Sequence, residues 1–221
     1  MNIFDILGPV MVGPSSSHTA GAVRIVYAAR KLLQDKPVEA KIGLHGSFAD
    51  TGTGHGTDRA LVAGLLGMKP DDTRIPDSFQ IAARQGLSFS FETVQLKEAH
   101  PNTAILTLRG ESGRCLEIQA ASIGGGRIMI RKLDGIEISF SLEKPTLIVN
   151  NEDKPGYVAR VAALLSEEQI NIASMQLYRN HKTGHAIMVL ETDQRVSEAA
   201  VSALAGSEGI LKAAYFNSEE V

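Results

Sequence analysis

Two short segments contain the side chains best suited to chemistry. The first, residues 13–19, reads Gly-Pro-Ser-Ser-Ser-His-Thr and places hydroxyl groups and the imidazole of His18 just before an apolar helical pattern. Unpaired amides at the start of a helix attract an anion such as a substrate carboxylate, and an imidazole can move a proton near neutral pH. The same residues could also form a serine-rich helix cap with an exposed histidine.

The second segment is a polar loop predicted between a strand and a helix. Residues 45–58 read His-Gly-Ser-Phe-Ala-Asp-Thr-Gly-Thr-Gly-His-Gly-Thr-Asp. His55 lies among Gly52, Gly54 and Gly56, a setting that leaves its ring uncovered and mobile unless something binds. The pattern is therefore consistent with a second binding or proton-transfer residue, or with a flexible glycine loop.

The elements around these segments predict an α+β N-terminal domain. Apolar residues at spacings of three and four predict a helix from the Ser15–Thr19 caps through Leu33, and alternation predicts a strand over 38–44. A helix over 59–66 would be capped by Thr57 or Asp58 and followed by Gly67. A short helix over 79–84 precedes strands near 89–91, 104–108, 116–120, 128–130 and 136–140. Residues 8–14, with two Gly-Pro pairs, are expected to be extended or in turns, and the glycines at 124–126 to form a sharp bend or an anion-binding nest, with the bend preferred.

A complete second pattern begins after a short hinge at residues 143–145. It predicts a strand over 146–150, a helix over 155–168 with Pro155 in its first turn, and strands over 171–179 and 185–192 joined by a turn at 182–184. A helix over 196–204 and a strand over 210–216 complete a βαββαβ order. This order is typical of a ferredoxin-like domain with both helices on one face of an antiparallel sheet.

Composition excludes several classes of function. The 221 residues include 25 acidic and 22 basic side chains, and without a Lys/Arg run the chain lacks the basic patch that nucleic acid or an anionic membrane selects. No apolar stretch approaches the ~18 residues of a membrane span, and residues 1–5 lack a signal-peptide pattern, so we expect a cytoplasmic protein. The single cysteine, Cys115, excludes an internal disulfide and a four-cysteine metal shell; we expect it to be a small core side chain.

The C-terminal pattern resembles the ACT domain over about residues 145–221. The resemblance rests on the βαββαβ order, on the run from Asp153 to Gly156, which reads Asp-Lys-Pro-Gly, and on Ile-Asn-Ile around Asn171. It implies a regulatory module that pairs with a second copy and binds an amino acid near its first loop. The effector-binding residues it implies are Asn151, Asp153, Gly156 and Asn171, although Asp153 alone could simply cap a helix.

The whole chain resembles the beta chains of bacterial iron–sulfur-dependent L-serine dehydratases. The matching segments are Phe4-Asp5, Gly8-Pro9, residues 13–19, His45-Gly46-Ser47 and residues 53–58, which read Thr-Gly-His-Gly-Thr-Asp. The resemblance implies an allosteric-substrate-binding-like α+β domain over 1–143 and an ACT domain over 145–221. It also implies a separate alpha chain, which carries the cysteines of a [4Fe-4S] cluster and most of the catalytic domain.

The resemblance implies deamination of L-serine to pyruvate and ammonia without pyridoxal phosphate, with a cluster iron acting as a Lewis acid on the serine hydroxyl. Such a reaction belongs to amino-acid metabolism and gluconeogenesis. The substrate-binding residues Ser16, Ser17 and Thr19, with His18, would line one wall of the active site, and His55 with Thr57 would face them. His18 and His55 are the implied catalytic residues, and their individual roles stay open. A lysine base, if one is used, would belong to the alpha chain.

Two other functions compete with this interpretation. The serine loop and the ACT unit could form an amino-acid sensor that performs no chemistry. His18, His45, His55 and Asp58 could instead bind the zinc or manganese of a hydrolase, although their spacing matches no tight ligand motif.

Overall fold

The computed structural model describes residues 10–52, 54–180 and 184–217, so the predictions for residues 1–9 and the matched Thr53 lie outside the described part. The chain divides into two compact units, Met1–Gly135 and Ile136–Val221. In the first unit a π-helical turn, Ser16–Ala20, leads into α1 (Gly21–Leu33). The elements that follow are β1 (Pro37–His45), α2 (Ser47–Thr51), α3 (Thr57–Leu65), a 3-10 turn (Ile75–Asp77), α4 (Ser78–Arg84), β2 (Ser88–Thr93), β3 (Thr103–Gly110), β4 (Cys115–Gly124) and β5 (Arg127–Leu133).

The strands of the first sheet lie in the order β2-β1-β3-β4-β5. The next strand along the chain, β6 (Ile136–Phe140), begins the second unit. The β1–β2 pair is parallel, and the pairs from β1 through β5 are antiparallel. Alternating apolar side chains of these strands are buried, as in Leu106 and Leu108, and α1 packs on β4 and on α3. The strands predicted from alternation are confirmed. The division into compact units falls before β6, whereas the sequence predicts a boundary near residue 143, after it.

The predicted first helix begins with an unusually wide turn. The Ser15 hydroxyl accepts a hydrogen bond from the His18 amide at 3.1 Å, and the Gly21 amide donates to the carbonyl of Ser16, five residues earlier. The helix is otherwise regular and ends at Leu33. Wide turns of this kind are rare and frequently mark functional sites.

The segment over 45–58 is more ordered than predicted. It contains the short helix α2, which follows Gly46 at a φ of 55°. The capping prediction for α3 is wrong: its N-cap is Gly56, with a φ of 69° and no side-chain capping bond, and the Asp58 carboxylate accepts a bond from the neighbouring Arg59 amide instead. Glycine takes this left-handed conformation without the penalty that other residues pay. Gly67 follows the helix at a φ of 82°, as predicted.

Two smaller predictions have opposite outcomes. The glycines at 124–126 form a sharp bend: Gly125 and Gly126 are the two central residues of the β4–β5 hairpin, both with positive φ, as a tight hairpin turn requires. The Arg24 guanidinium donates to the Gly126 carbonyl at 2.9 Å and holds the bend against α1. Cys115 is exposed at the start of β4, so its prediction as a core side chain is wrong.

The second unit has the predicted βαββαβ order after β6. Its elements are β7 (Thr146–Glu152), α5 (Tyr157–Glu167), β8 (Ile172–Asn180), β9 (His185–Thr192), α6 (Glu198–Ala205) and β10 (Ile210–Phe216). The sheet order is β10-β7-β9-β8 and all pairs are antiparallel, so the ferredoxin-like prediction is confirmed. Both helices contribute to one buried core, with Val161 from α5 and Leu204 from α6. Pro155 does not lie in the first turn of α5, because this helix begins after Gly156. Two residues of the turn predicted between β8 and β9, Lys182 and Thr183, lie outside the described residues.

Candidate functional site

The ring of His18 is held between two segments of the first unit. Its Nδ1 lies 3.4 Å from the Ser15 hydroxyl, and its Nε2 lies 3.1 Å from the hydroxyl oxygens of both Ser47 and Thr51. The ring also meets Phe48 edge to face, with centroids 5.4 Å apart. The π-helical turn and α2 therefore fix the imidazole together.

His55 approaches the same ring from the glycine segment. The two imidazole centroids lie 5.0 Å apart at an interplanar angle of 55°, and the His55 amide donates to the Thr51 carbonyl at 3.2 Å. His55 is exposed and His18 is half-buried. The structure thus brings together the two histidines that the sequence singles out as candidate proton-transfer residues.

The local environment lowers the pKa of His18. Burial is the largest cause, the charge of nearby His55 lowers the pKa further, and a hydrogen bond to the Ser47 backbone opposes both effects. A histidine with an ordinary pKa near 6.5 is already mostly neutral at pH 7. The lowered value makes neutral His18, which is able to accept a proton, the dominant form there.

The predicted substrate-binding residues fall into two groups. Ser16 and Ser17 are half-buried in the first turn before α1, where backbone amides lack an intrahelical acceptor. Thr19 and Thr57 point inward instead, with exposures of 2% and 0%. Their hydroxyl oxygens are buried and have no hydrogen-bond partner among the described residues, and their role in substrate binding stays a prediction. Thr19 packs against Gly13, and the backbone amide of Thr57 donates a hydrogen bond to the Gly52 carbonyl.

Ser47 and Thr51 were not among the predicted site residues. They lie one turn apart on α2, and side chains four residues apart share one face of a helix. The sequence offered one signal, the His-Gly-Ser run ending at Ser47. Thr51 could not be recognised without knowing that residues 47–51 are helical.

The residues proposed for a metal hydrolase do not form a ligand cluster. The His45 Nδ1 lies 3.3 Å from both the Val94 carbonyl oxygen and the Leu96 amide nitrogen, which tie the ring to the segment after β2. Across residues 10–52, 54–180 and 184–217, no three His, Cys, Asp or Glu side chains are grouped as metal ligands.

Three of the four predicted effector-binding residues lie at one end of the second sheet. Asn151 is 3% exposed near the end of β7, with its side-chain amide donating to the Glu152 carbonyl at 2.6 Å. Asp153 forms an ion pair with Arg179 at 2.9 Å. Gly156 has a φ of 98° and open space where a side chain would begin. The loop is therefore built around charged contacts and leaves room beside Gly156.

Asn171 lies at the other end of the sheet. Because β7 and β8 both pair antiparallel with β9, they run in the same direction, and the start of β8 is level with the start of β7. Asn171 is consequently roughly 25 Å from the loop at a rise of about 3.3 Å per residue. Its side chain donates to the Asp193 carboxylate at 2.7 Å. Within one chain, Asn171 is therefore too far from the first loop to share one ligand with it.

None of the helices in the described part of the chain combines the length and hydropathy that a membrane crossing requires.

The fold and the site define an α+β protein in which a paired-histidine site on one unit accompanies a ferredoxin-like second unit. Comparison with known sequences defines the class further: residues 2–86 match the family described as "Serine dehydratase beta chain", and residues 145–209 match the ACT domain.

Relatives of similar length carry the same description. The chain is 41% identical over 211 residues to "Probable L-serine dehydratase, beta chain" of Bacillus subtilis (strain 168) and 39% identical over 213 residues to "L-serine dehydratase, beta chain" of Peptoniphilus asaccharolyticus, in each case covering 96% of both chains. A D-3-phosphoglycerate dehydrogenase of Bacillus subtilis is 27% identical over 184 residues, covering 83% of this chain and 35% of the relative. The chain belongs to the serine dehydratase beta chain family, and the resemblance derived from the sequence motifs is confirmed.

Proposed function

We propose that this chain is the beta subunit of an iron–sulfur-dependent L-serine dehydratase, and that with a separate alpha chain it converts L-serine to pyruvate and ammonia. The observation that carries the proposal is the meeting of His18 and His55, 5.0 Å apart, beside the first turn before α1. The names of the full-length relatives support it. Under this proposal the chain acts in the cytoplasm, and the pyruvate it forms can enter gluconeogenesis.

A division of labour between two chains follows from the donor set. One cysteine cannot provide the thiolates of a [4Fe-4S] cluster, and Cys115 lies on β4 rather than beside His18. The residues of this chain therefore do not fit the cluster, and we assign its ligation to the alpha chain. The part left to this chain is to bind the substrate and to transfer a proton.

The first turn before α1 is suited to the substrate carboxylate. Amides at the start of this turn point away from the helix and carry partial positive charge. The half-buried hydroxyls of Ser16 and Ser17 lie at the same place. A carboxylate bound there would leave the α-carbon of L-serine close to the ring of His18.

The histidine pair is suited to proton transfer. Dehydration removes the α-proton and the β-hydroxyl of L-serine as water, and a water molecule is taken up again when the resulting imine is hydrolysed to pyruvate and ammonia. Neutral His18 can accept or relay a proton, because its pKa is lowered mainly by burial. Exposed His55 can exchange protons with solvent or with the alpha chain.

An anaerobic assay of pyruvate formation from L-serine tests the proposal. We expect no activity from the purified chain alone and clear activity after mixing with the reconstituted alpha chain. His18→Ala and His55→Ala should each lower turnover by about 100-fold or more, the typical effect of losing an acid–base group. His185→Gln, a histidine substitution on β9 in the second unit, is the matched control and should retain wild-type turnover. Wild-type rates in both site variants would refute the roles of these histidines.

The ACT domain favours a second candidate function, that of an amino-acid sensor without chemistry. In that case L-serine would bind to the isolated chain, measurable by calorimetry, and the mixture with the alpha chain would form no pyruvate. Activity that depends on both chains would exclude the sensor as the main function.

We propose that the ACT unit binds an amino acid at the loop containing Asn151, Asp153 and Gly156 and that it pairs with a second copy. Pairing is supported by the large apolar side chains exposed on the two edge strands of the sheet: Met175 and Leu177 on β8 are 44% and 43% exposed, and Leu211 on β10 is 46% exposed. Sedimentation velocity should show a dimer that Leu177→Glu dissociates. A wild-type monomer at every concentration would refute pairing.

A further inference from the structure

The Nε2 atom of His18 faces two hydroxyl oxygens, and the positions of their hydrogens determine which ring nitrogen is protonated. Ser47 and Thr51 each place a hydroxyl oxygen 3.1 Å from this nitrogen. Both come from one face of α2, so the helix presents them as a pair.

The Thr51 hydroxyl has only one hydrogen, and that hydrogen is already committed. Its oxygen lies 2.8 Å from the backbone carbonyl oxygen of Ser47. A carbonyl can only accept, so Thr51 donates this bond. The lone pairs of the same oxygen then face Nε2, and the contact is attractive only if Nε2 carries a hydrogen.

The other ring nitrogen has a matching partner. The Ser15 oxygen accepts a bond from the His18 amide at 3.1 Å and lies 3.4 Å from Nδ1. Its own hydrogen can point toward an unprotonated Nδ1. The opposite tautomer would bring the lone pairs of Nε2 and the Thr51 oxygen together at 3.1 Å, where they repel.

We propose that Thr51 is a positioning residue that fixes neutral His18 as the Nε2–H tautomer, leaving Nδ1, beside Ser15, as the nitrogen that accepts a proton. A second consequence concerns Ser47. Its hydroxyl cannot donate to a protonated Nε2, so its hydrogen is available to an acceptor outside the pair. We assign that acceptor as a carboxylate oxygen of L-serine, an assignment that rests on the proposed function.

The tautomer can be measured in the full chain without the alpha chain. Long-range ¹⁵N–¹H correlation spectra of histidine-labelled protein distinguish a protonated from an unprotonated ring nitrogen. We expect wild-type His18 to show protonated Nε2 and unprotonated Nδ1. Thr51→Val should lose this preference, because Ser47 can then donate to Nε2, whereas the matched control Thr51→Ser should retain it.

Ser47→Ala provides an independent test of which hydroxyl group determines the tautomer. The substitution leaves the backbone carbonyl of residue 47 in place, so the Thr51 hydroxyl still donates its hydrogen to that carbonyl. The Nε2–H tautomer should therefore persist. Thr51 is exposed and Ser47 half-buried, and far-UV circular dichroism verifies that each variant is folded. A wild-type ring protonated on Nδ1, or an unchanged tautomer in Thr51→Val, would overturn the positioning role.

Kinetics of the two-chain complex test the assigned acceptor. Ser47→Ala should raise the KM for L-serine by about tenfold with a smaller change in kcat, as expected for a lost hydrogen bond to a bound carboxylate. An unchanged KM would refute the contact between Ser47 and the substrate. If the complex forms no pyruvate while the spectra show the expected tautomers, the proposed function fails and the role of Thr51 stands.

Discussion

The imidazole rings of His18 and His55 lie 5.0 Å apart at an interplanar angle of 55°. They come from opposite sides of the site, one from the turn before α1 and the other from the segment before α3. At this distance a charge on one ring disfavours a charge on the other. The charge of His55 therefore lowers the pKa of His18, which burial already lowers.

His55→Ala should raise the pKa of His18. The substitution removes the repulsion from the second imidazole, whereas burial, the larger cause of the lowered pKa, continues to act. The His18 pKa should therefore rise and still remain below its ordinary value. Histidine resonances followed through a pH titration measure this, with His185→Ala as the control. A pKa that stays the same or falls would contradict the coupling.

The lowered pKa of His18 should also make the stability of the chain depend on pH. The unfolded chain takes up a proton at this histidine near pH 6.5, before the folded protein does. The contribution of His18 to stability is therefore complete above that pH and is lost as the pH falls through the folded-state pKa. Urea unfolding at about pH 7.5 and about pH 5.5 should show a larger loss for the wild type than for His18→Gln. Equal losses in the two proteins would contradict it.

Gly64→Ala should destabilise the chain through the contact between α3 and α1. A Cβ at this position would lie 2.6 Å from the Val23 carbonyl oxygen and 3.0 Å from the Val26 Cβ. Overpacking of this kind costs about 1–3 kcal/mol, against a helix-propensity gain of roughly 1 kcal/mol. Gly206→Ala, whose nearest atom is 3.5 Å away, is the control and should change stability by no more than about 0.5 kcal/mol. Identical urea midpoints for the two variants would show that the helices separate easily.

Asn171→Ala should affect stability and leave amino-acid binding unchanged. The substitution removes the 2.7 Å bond to Asp193 and should cost about 0.5–1.5 kcal/mol. Binding of L-serine to the ACT loop, measured by calorimetry in a His18→Ala background, should weaken in Asn151→Ala and not in Asn171→Ala. Equal weakening by both substitutions would show that a site joins the two ends of the sheet, which requires a second copy.

Long periodic patterns were predictable from the sequence, and short or topological features were not. Alternation predicted β3 and the whole βαββαβ unit because each buried face repeats over many residues. The five residues of α2 are too few to reveal a helical period. The separation of Asn171 from the first loop follows from the βαβ connection, which makes β7 and β8 run the same way, and this could have been deduced from the predicted order alone.

The orientation of the threonines shows a different limit. Local sequence places Thr19 and Thr57 among polar residues, yet tertiary packing turns both side chains inward. Ser16 and Ser17, one and two positions after the cap, remain half-buried at the open end of the same turn. Threonine combines a methyl and a hydroxyl group, so its type alone does not decide which environment it occupies.

The wide turn over Ser16–Ala20 has a consequence for the history of this site. A π-helical turn is equivalent to an α-helix with one inserted residue, so deleting a single codon there would restore a regular helix without rotating its flanks. Such a deletion would change the position of the His18 ring relative to Ser47 and Thr51. Under the proposed function, one genetic step in this turn would therefore be enough to separate His18 from the hydroxyl groups that position it.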